Sequence, residues 1–199
     1  MGVLWIYGPT GSGKTHRVQA LVQKKETEGK RVLVLTSENL SYRLLDLLRR
    51  RQKNALDVLV AQFLEIDTLV VEEMEGLLYK AATEEVIEEV IVRLNKQGKD
   101  VVCTSLCPPS TGSSLLTLSD FEVVKMQWPD FEERKHIVDT LCRELALSLS
   151  REEKEALAAG TQHAGQIRGE LFQKKLIMLQ NENEINRKKG TKYGNINIK

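Results

Sequence analysis

The chain has 199 residues, 41% of them hydrophobic, which is enough for one medium-sized domain with a packed core, alone or with a small appendage. Its formal net charge of +1 gives no electrostatic argument for a nucleic-acid or membrane partner at the level of the whole molecule. The first residues lack the basic start of a signal peptide, so we expect none, and no apolar run reaches the ~20 residues that cross a bilayer. Cys103, Cys107 and Cys142 lack metal-ligand spacing, so we expect reduced thiols in a cytoplasmic protein without a membrane partner.

Short apolar runs alternate with helical patterns over the first two thirds of the chain. The runs are typical of buried parallel strands and cover residues 3–7, 32–35, 68–71, 101–104 and 121–126, the last as an edge strand. Helical spacing of apolar residues fills the intervals, including residues 40–64 and 83–96. The alternation predicts an α/β fold with a doubly wound parallel sheet and right-handed crossovers.

The pattern changes at Trp128-Pro129-Asp130, after which only helical periodicity is found. Ser150 and Glu153 have the spacing of a helix capping box. We therefore predict an α/β core over residues 1–128 and a small C-terminal helical lid over residues 129–180. Residues 181–199 are polar and basic and have no core-forming pattern, so we expect a disordered basic tail.

The loop after the first predicted strand has the pattern G-x-x-x-x-G-K-[ST] of a phosphate-binding P-loop. Glycines let backbone N–H groups turn inward around phosphate oxygens, and the following helix adds its positive N-terminal end. In this pattern Lys14 reaches the β- and γ-phosphates and the Thr15 hydroxyl binds Mg²⁺. The predicted phosphate-binding residues are Gly8, Pro9, Thr10, Gly11, Ser12, Gly13, Lys14 and Thr15.

An acidic pair, Glu72-Glu73, follows the third apolar run. A P-loop site needs carboxylates at the end of a neighbouring strand to complete its metal and water sites. We predict that Glu72 holds Mg²⁺, directly or through water, and that Glu73 orients or deprotonates the attacking water. Glu73 and Lys14 are therefore the predicted catalytic residues.

Further blocks follow the P-loop segment Gly13-Lys14-Thr15-His16 in a fixed order, at residues 36–40, 66–74, 101–105, 108–109, 127–134 and 166–171. This ordered set resembles the AAA+ domain of the bacterial replication initiator DnaA and its Hda-like relatives. The resemblance extends from about residue 3 to residue 176. It adds the AAA+ class of P-loop NTPase to the predicted fold.

The resemblance implies a module that binds ATP or ADP with Mg²⁺ and hydrolyses ATP slowly or only with a partner. It places His16 beside the P-loop and Arg168 in the position of the family's sensor 2 residue, which touches nucleotide phosphate. The implied partners are replication-initiation proteins, or further copies of the chain, bound through the AAA+ surface. The implied role is to regulate replication initiation or to load a partner.

The chain departs from the family pattern at several points. No counterpart of the family's DNA-reading domain is present, so we expect no sequence-specific binding of duplex DNA. The polar residue that ends the family's sensor 1 strand is Leu106 here. The family's arginine finger lies in a Ser-Arg-Phe block that reads Ser119-Asp120-Phe121 here. Such a finger places positive charge on a neighbour's γ-phosphate, so the Asp120 carboxylate is not expected to activate a partner.

A basic segment lies where the family carries a helical insertion that contacts single-stranded DNA. Its charges can meet phosphates, which would allow a weak single-stranded DNA contact. Only Tyr42 and Phe63 could stack on bases, so we favour a solvated helix face over this contact. We also expect a solvated face for the acidic residues that follow between positions 65 and 89. The basic residues are Arg43, Arg49, Arg50, Arg51 and Lys53.

Two other functions stay open from the sequence alone. A P-loop kinase for a nucleoside or small metabolite would use residues 130–180 as a substrate lid, but the arginines available there for an acceptor are few. A non-enzymatic interaction protein would use the nucleotide only as a structural ligand.

Overall fold

The computed structural model describes residues 2–77 and 81–191. It divides into two compact units with a boundary between Gln127 and Trp128, one residue before the predicted one. Nowhere in the described ranges is there a helix with the length and apolarity to span a bilayer.

A parallel sheet forms the centre of the first unit. Its strands are β1 (Val3–Tyr7), β2 (Val32–Thr36), β3 (Thr68–Glu72), β4 (Asp100–Ser105) and β5 (Phe121–Lys125). They are arranged in the order β2-β3-β4-β1-β5, with parallel pairing throughout. All five predicted runs are strands, and β5 lies at an edge as predicted.

Helices cover both faces of the sheet, which confirms the doubly wound α/β fold. Helix α1 (Lys14–Thr27) buries Val18 with Leu4, Ile6, Val70 and Val102 on one face. The larger core on the other face includes residues from α2 (Ser37–Arg49), α3 (Ala55–Gln62) and α4 (Ala81–Lys96). Alternate residues of the strands point to the two cores because successive side chains of a strand face opposite sides.

The segment predicted as helical over residues 40–64 is broken into α2 and α3, so one continuous helix is wrong. Helix α2 ends in a Schellman motif, in which Arg51 N donates to Leu48 O at 3.0 Å and Gln52 N donates to Leu47 O at 3.0 Å. Arg51 (φ 53°) and Asn54 (φ 55°) are both left-handed. No glycine or proline marks this break, and the apolar periodicity continues across it.

One member of the acidic stretch is not solvated. Glu88 on α4 is 7% exposed, and its carboxylate accepts hydrogen bonds from Ser113 Oγ (2.5 Å) and from the backbone and hydroxyl of Ser114 (2.9 and 3.0 Å). It thereby fixes the segment that follows β4. The expectation of a solvated acidic face is therefore wrong for Glu88.

The second unit contains α5 (Phe131–Glu144), α6 (Arg151–Gly160) and α7 (Ala164–Thr191). The predicted Ser150–Glu153 capping box is present, and Asp130 with Glu133 forms another at the start of α5. Helix α7 continues to Thr191, whereas we expected disorder from residue 181. The rest of that predicted tail, residues 192–199, lies outside the described residues.

We predict that Arg51→Gly raises the free energy of unfolding by about 1 kcal/mol, because a left-handed L-residue costs about 1–2 kcal/mol that glycine avoids. Urea denaturation followed by circular dichroism measures the change. The matched control is Arg49→Gly inside α2, which is expected to lower the same free energy by about 1 kcal/mol. Equal effects of the two substitutions would contradict the assignment of the helix break to Arg51.

Candidate nucleotide-binding site

The glycine-rich loop is fixed between two strands of the sheet. Gly8 N donates to Ser105 O at the end of β4 (3.2 Å), and Met126 N donates to Tyr7 O (2.7 Å). A Cβ atom at Gly8 would lie 2.3 Å from the Met126 carbonyl oxygen. This clash involves backbone atoms, which cannot move away at low energetic cost. The first glycine of the motif is therefore required by the close approach of the backbone after β5.

The later glycines shape the loop toward α1. Gly11 (φ 82°) and Gly13 (φ 88°) are left-handed, and Gly13 occupies the N-cap position of α1. Ser12 N donates to Pro9 O at 3.2 Å. The Ser12 hydroxyl is buried and makes no hydrogen bond within the described part of the chain. The loop and helix start thus have the strand–loop–helix context that the P-loop motif requires.

Lys14 lies across this loop. Its ammonium donates to Gly8 O at 2.6 Å and to Pro9 O at 3.1 Å. Partial burial lowers the pKa of Lys14, and the nearby Glu75 carboxylate opposes this shift. Lys14 thus has one nearby opposite charge in Glu75, and the hydrogen-bond acceptors of Lys14 are carbonyls that phosphate oxygens can replace.

The predicted acidic pair is at the carboxyl end of β3. Burial raises the pKa of Glu72, and the neighbouring Glu73 carboxylate raises it further. Glu73 follows the strand with φ 62°, a left-handed conformation that is uncommon for a residue other than glycine. Glu73 N donates to Thr104 Oγ1 on β4 at 3.2 Å, so β4 holds Glu73 as well as the P-loop.

Two residues at this edge of the sheet had no role assigned from the sequence. Ser37 Oγ donates to Glu73 O at 2.6 Å, and Thr104 Oγ1 accepts from Glu73 N. Both residues are buried. The sequence contains a signal for Ser37, because this residue directly follows β2. Polar residues that follow parallel strands converge at one edge of the sheet.

A magnesium ion is compatible with the donors predicted for it. Mg²⁺ prefers oxygen ligands and takes one or two carboxylates with phosphates and water. The Thr15 hydroxyl and the partly desolvated Glu72 carboxylate are such donors. Within residues 2–77 and 81–191, no group of three His, Cys, Asp or Glu side chains is placed to hold a metal by itself. The donor set therefore suits an ion that shares its ligands with a nucleotide.

The other predicted site residues lie elsewhere. His16 is exposed in the first turn of α1. Arg168 belongs to the second unit, on α7, where its guanidinium is 3.4 Å from the Glu144 carboxylate. The exposed Asp120 accepts a hydrogen bond from Asn95 Nδ2 at 3.0 Å, and it precedes β5, at the edge of the sheet opposite to the P-loop.

All five basic residues of the predicted DNA-contacting segment are exposed, on α2 or directly after it. Arg50 forms an ion pair with Asp46 at 3.0 Å. Three large apolar side chains of α2 are exposed in the same region, Tyr42 (63%), Leu45 and Leu48. The segment therefore combines positive charge with an exposed ring and aliphatic side chains.

The phosphate loop after a central strand of a doubly wound parallel sheet places the first unit among the P-loop nucleoside triphosphatases. The family model of the bacterial DnaA ATPase domain matches residues 2–128. The chain belongs to this family.

Curated relatives agree with this assignment. The chromosomal replication initiator protein DnaA of Herpetosiphon aurantiacus is 30% identical over 165 residues, which cover 78% of this chain and 34% of that protein. DnaA of Mesoplasma florum is 31% identical over 102 residues, which cover 51% of this chain and 23% of that protein. The chain thus spans about a third or less of the length of these relatives.

Solved structures show the same fold. A replication initiator DnaA bound to AMPPCP and single-stranded DNA has a TM-score of 0.74 and 22% identity, over 96% of this chain and 59% of that one. Domain III of the Thermotoga maritima replication initiation protein DnaA has a TM-score of 0.73 and 23% identity, over 92% and 78% of the two chains. Both share the α/β fold of this chain over more than nine tenths of its length.

We predict that Glu72→Gln stabilises the protein at pH 7 in metal-free buffer. Because the folded-state pKa of Glu72 is raised above its ordinary value, the ionised carboxylate destabilises the fold, and this loss develops as the pH rises through the raised pKa. Urea denaturation in EDTA between pH 4 and pH 8 measures the difference between the two proteins. It should shrink as the pH falls toward 4.5, the ordinary value. A pH-independent difference for Glu72→Gln would contradict the assigned shift.

Proposed function

We propose that this chain binds ATP with Mg²⁺ through the loop of residues 8–15 and hydrolyses it slowly, as an initiator-like AAA+ module. The observation that carries the proposal is that adjacent residues of β4 hold both halves of the site. Ser105 O accepts from the P-loop at Gly8 N, and Thr104 Oγ1 accepts from the backbone of Glu73. The backbones of the glycine-rich loop and of Glu73 are thereby held by one buried strand, which supports the proposal.

The proposed reaction is attack of water on the γ-phosphorus, with cleavage of the bond to the β–γ bridging oxygen. Glu73 orients this water and accepts its proton. Lys14 exchanges the Gly8 and Pro9 carbonyls for phosphate oxygens. Thr15 and Glu72 would hold Mg²⁺, which would supply charge neutralisation when bound. The assignment of Arg168, on α7 of the second unit, as a phosphate-contacting residue rests on the family resemblance alone and stays a prediction.

The proposed partners are proteins of the replication-initiation machinery or further copies of the chain, bound through the AAA+ surface. Asp120 supports an asymmetric role in such contacts. Its exposed carboxylate stands where the family resemblance places an arginine finger, so it supplies no positive charge to a neighbour's phosphate. The chain would therefore accept an activating cation from a partner without donating one.

We further propose that the exposed segment of α2 and the following turn contacts single-stranded nucleic acid weakly. Phosphates would meet Arg43, Arg49, Arg51 and Lys53, while Tyr42 offers an exposed ring for base stacking. The ion pair with Asp46 reduces the contribution of Arg50. The fold shared with a replication initiator DnaA bound to single-stranded DNA, 22% identical to this chain, supports this proposal.

The two alternative functions lack comparable support. Family membership favours the initiator-type ATPase over a small-metabolite kinase. A purely structural role for the nucleotide would not explain why Glu73 is left-handed and is held there by hydrogen bonds to Ser37 and Thr104.

We predict that Lys14→Ala weakens ATP binding at least about tenfold, whereas Glu73→Gln retains binding and lowers phosphate release about 100-fold. Titration with fluorescent ATP measures binding, and release of labelled γ-phosphate measures turnover. Glu85→Gln is the exposed acidic control. Turnover that is unchanged in Glu73→Gln would remove Glu73 from the mechanism, and absence of ATP binding by the wild type would reject the proposed function.

We predict that Arg49→Ala weakens binding of a labelled oligothymidylate and lowers the salt dependence of log K by about 0.7, as expected when one single-strand phosphate contact is lost. Tyr42→Ala should weaken binding about tenfold through lost stacking. Fluorescence anisotropy over a range of salt concentrations measures both effects. The control is Arg151→Ala, an exposed arginine of α6. Equal losses for Arg151→Ala and Arg49→Ala would indicate unspecific charge attraction.

A further inference from the structure

Glu73 is held through both of its peptide groups by three separate parts of the chain. Its N–H donates to Thr104 Oγ1 on β4 at 3.2 Å. Its carbonyl accepts from Gly76 N in the following turn at 3.0 Å and from Ser37 Oγ, at the start of α2, at 2.6 Å. The Ser37 bond is the shortest of the three.

The conformation held in this way is one that glutamate avoids. Its φ of 62° lies in the left-handed region, which β3 does not require because the strand ends at Glu72. Such conformations persist only where the surroundings over-determine them, and they cluster at functional sites. The direction of the Glu73 Cα–Cβ bond follows from this conformation, so the hydrogen bonds that hold the backbone also set the direction in which the side chain leaves it.

The Ser37 side chain is built into this position. Ser37 is 2% exposed and begins α2, directly after the N-cap residue Thr36, whose side chain accepts from Asn39 N at 3.2 Å. A Cβ atom at Gly76 would lie 3.1 Å from Ser37 Oγ, so the glycine leaves room for the hydroxyl. Because Thr36 already caps α2, the helix does not need the Ser37 hydroxyl for capping. This hydroxyl donates to the Glu73 carbonyl instead.

We propose that Ser37 is a positioning residue for ATP hydrolysis, because its hydroxyl holds Glu73 in the left-handed conformation from which the carboxylate acts on water. This inference rests on the proposed function, since it assigns a role within the same reaction. Ser37 touches neither nucleotide nor water in this scheme. Its loss lowers the rate of the chemical step and leaves ATP affinity unchanged.

The test uses the full chain with Ser37→Ala, Ser37→Thr and a control in the same helix, Ser41→Ala. The Ser41 hydroxyl donates to Ser37 O at 2.8 Å, within α2, and its contact does not involve Glu73. Single-turnover release of labelled γ-phosphate and ATP titration separate chemistry from binding. Hydrogen exchange by mass spectrometry over residues 71–77 reports on the Glu73 backbone without any nucleotide.

We expect Ser37→Ala to lower the single-turnover rate about tenfold or more, since small misplacements of a catalytic group have effects of this order, and to change the ATP dissociation constant less than about twofold. Exchange over residues 71–77 should rise in Ser37→Ala alone. Ser37→Thr should retain the rate within about threefold, because a hydroxyl is kept. Wild-type rate and wild-type exchange in Ser37→Ala would overturn the proposal, as would equal losses in Ser41→Ala.

The two proposals fail in different ways. If the wild type binds ATP without hydrolysing it, the ATPase function is rejected, while exchange over residues 71–77 still decides whether Ser37 holds Glu73. If Ser37→Ala does not fold, Ser37→Cys fills nearly the same volume with a weaker donor and answers the same question. Unchanged exchange and rate in Ser37→Cys would then count against the proposal.

Discussion

Two neighbouring residues of β4 hold the two halves of the candidate site. Ser105 accepts the hydrogen bond of the first P-loop residue, Gly8, and Thr104 accepts that of Glu73. β4 lies between β3 and β1 in the sheet, and both residues are buried. A movement of this strand end would therefore displace the phosphate loop and the carboxylate together. The order of strands, more than any single side chain, determines that the two groups meet at one edge.

Burial shifts the two charged groups of the site toward their neutral forms. It lowers the pKa of Lys14 and raises the pKa of Glu72. Each shift reflects a charge that lacks a sufficiently strong opposite charge nearby. A nucleoside triphosphate would bring negative charge to Lys14, and its divalent ion would bring positive charge to Glu72. The site is thus electrostatically complementary to a metal–phosphate pair and less so to either component alone.

The sequence was sufficient for features that depend on local pattern. The five strands follow from apolar runs, the P-loop from its glycine spacing, and the Ser150 capping box from two residues three apart. It was insufficient where distant segments decide the outcome. The hydrogen bonds of Ser37 and Thr104 to Glu73 join residues 36 and 31 positions apart. The approach of Met126 to Gly8 is similarly non-local. At Arg51, a local helix-ending motif places a left-handed conformation on a residue type that does not favour one, so no glycine marks the break in the sequence.

The pairing register of β3 distinguishes Glu72, its last residue, from Glu73, which follows it. Thr36 on β2 is paired with Glu72, so the residues that follow each strand, Ser37 and Glu73, meet beyond the last pair. Because side chains alternate along a strand, a slip by one residue would turn Leu69 and Val71 away from their core and carry Val70 into it. The same slip would exchange Glu72 and Glu73. The packing of three aliphatic side chains therefore determines which glutamate ends the strand and which one accepts the Ser37 hydrogen bond through its backbone carbonyl. The arrangement of the two acidic residues thus follows from the hydrophobic core.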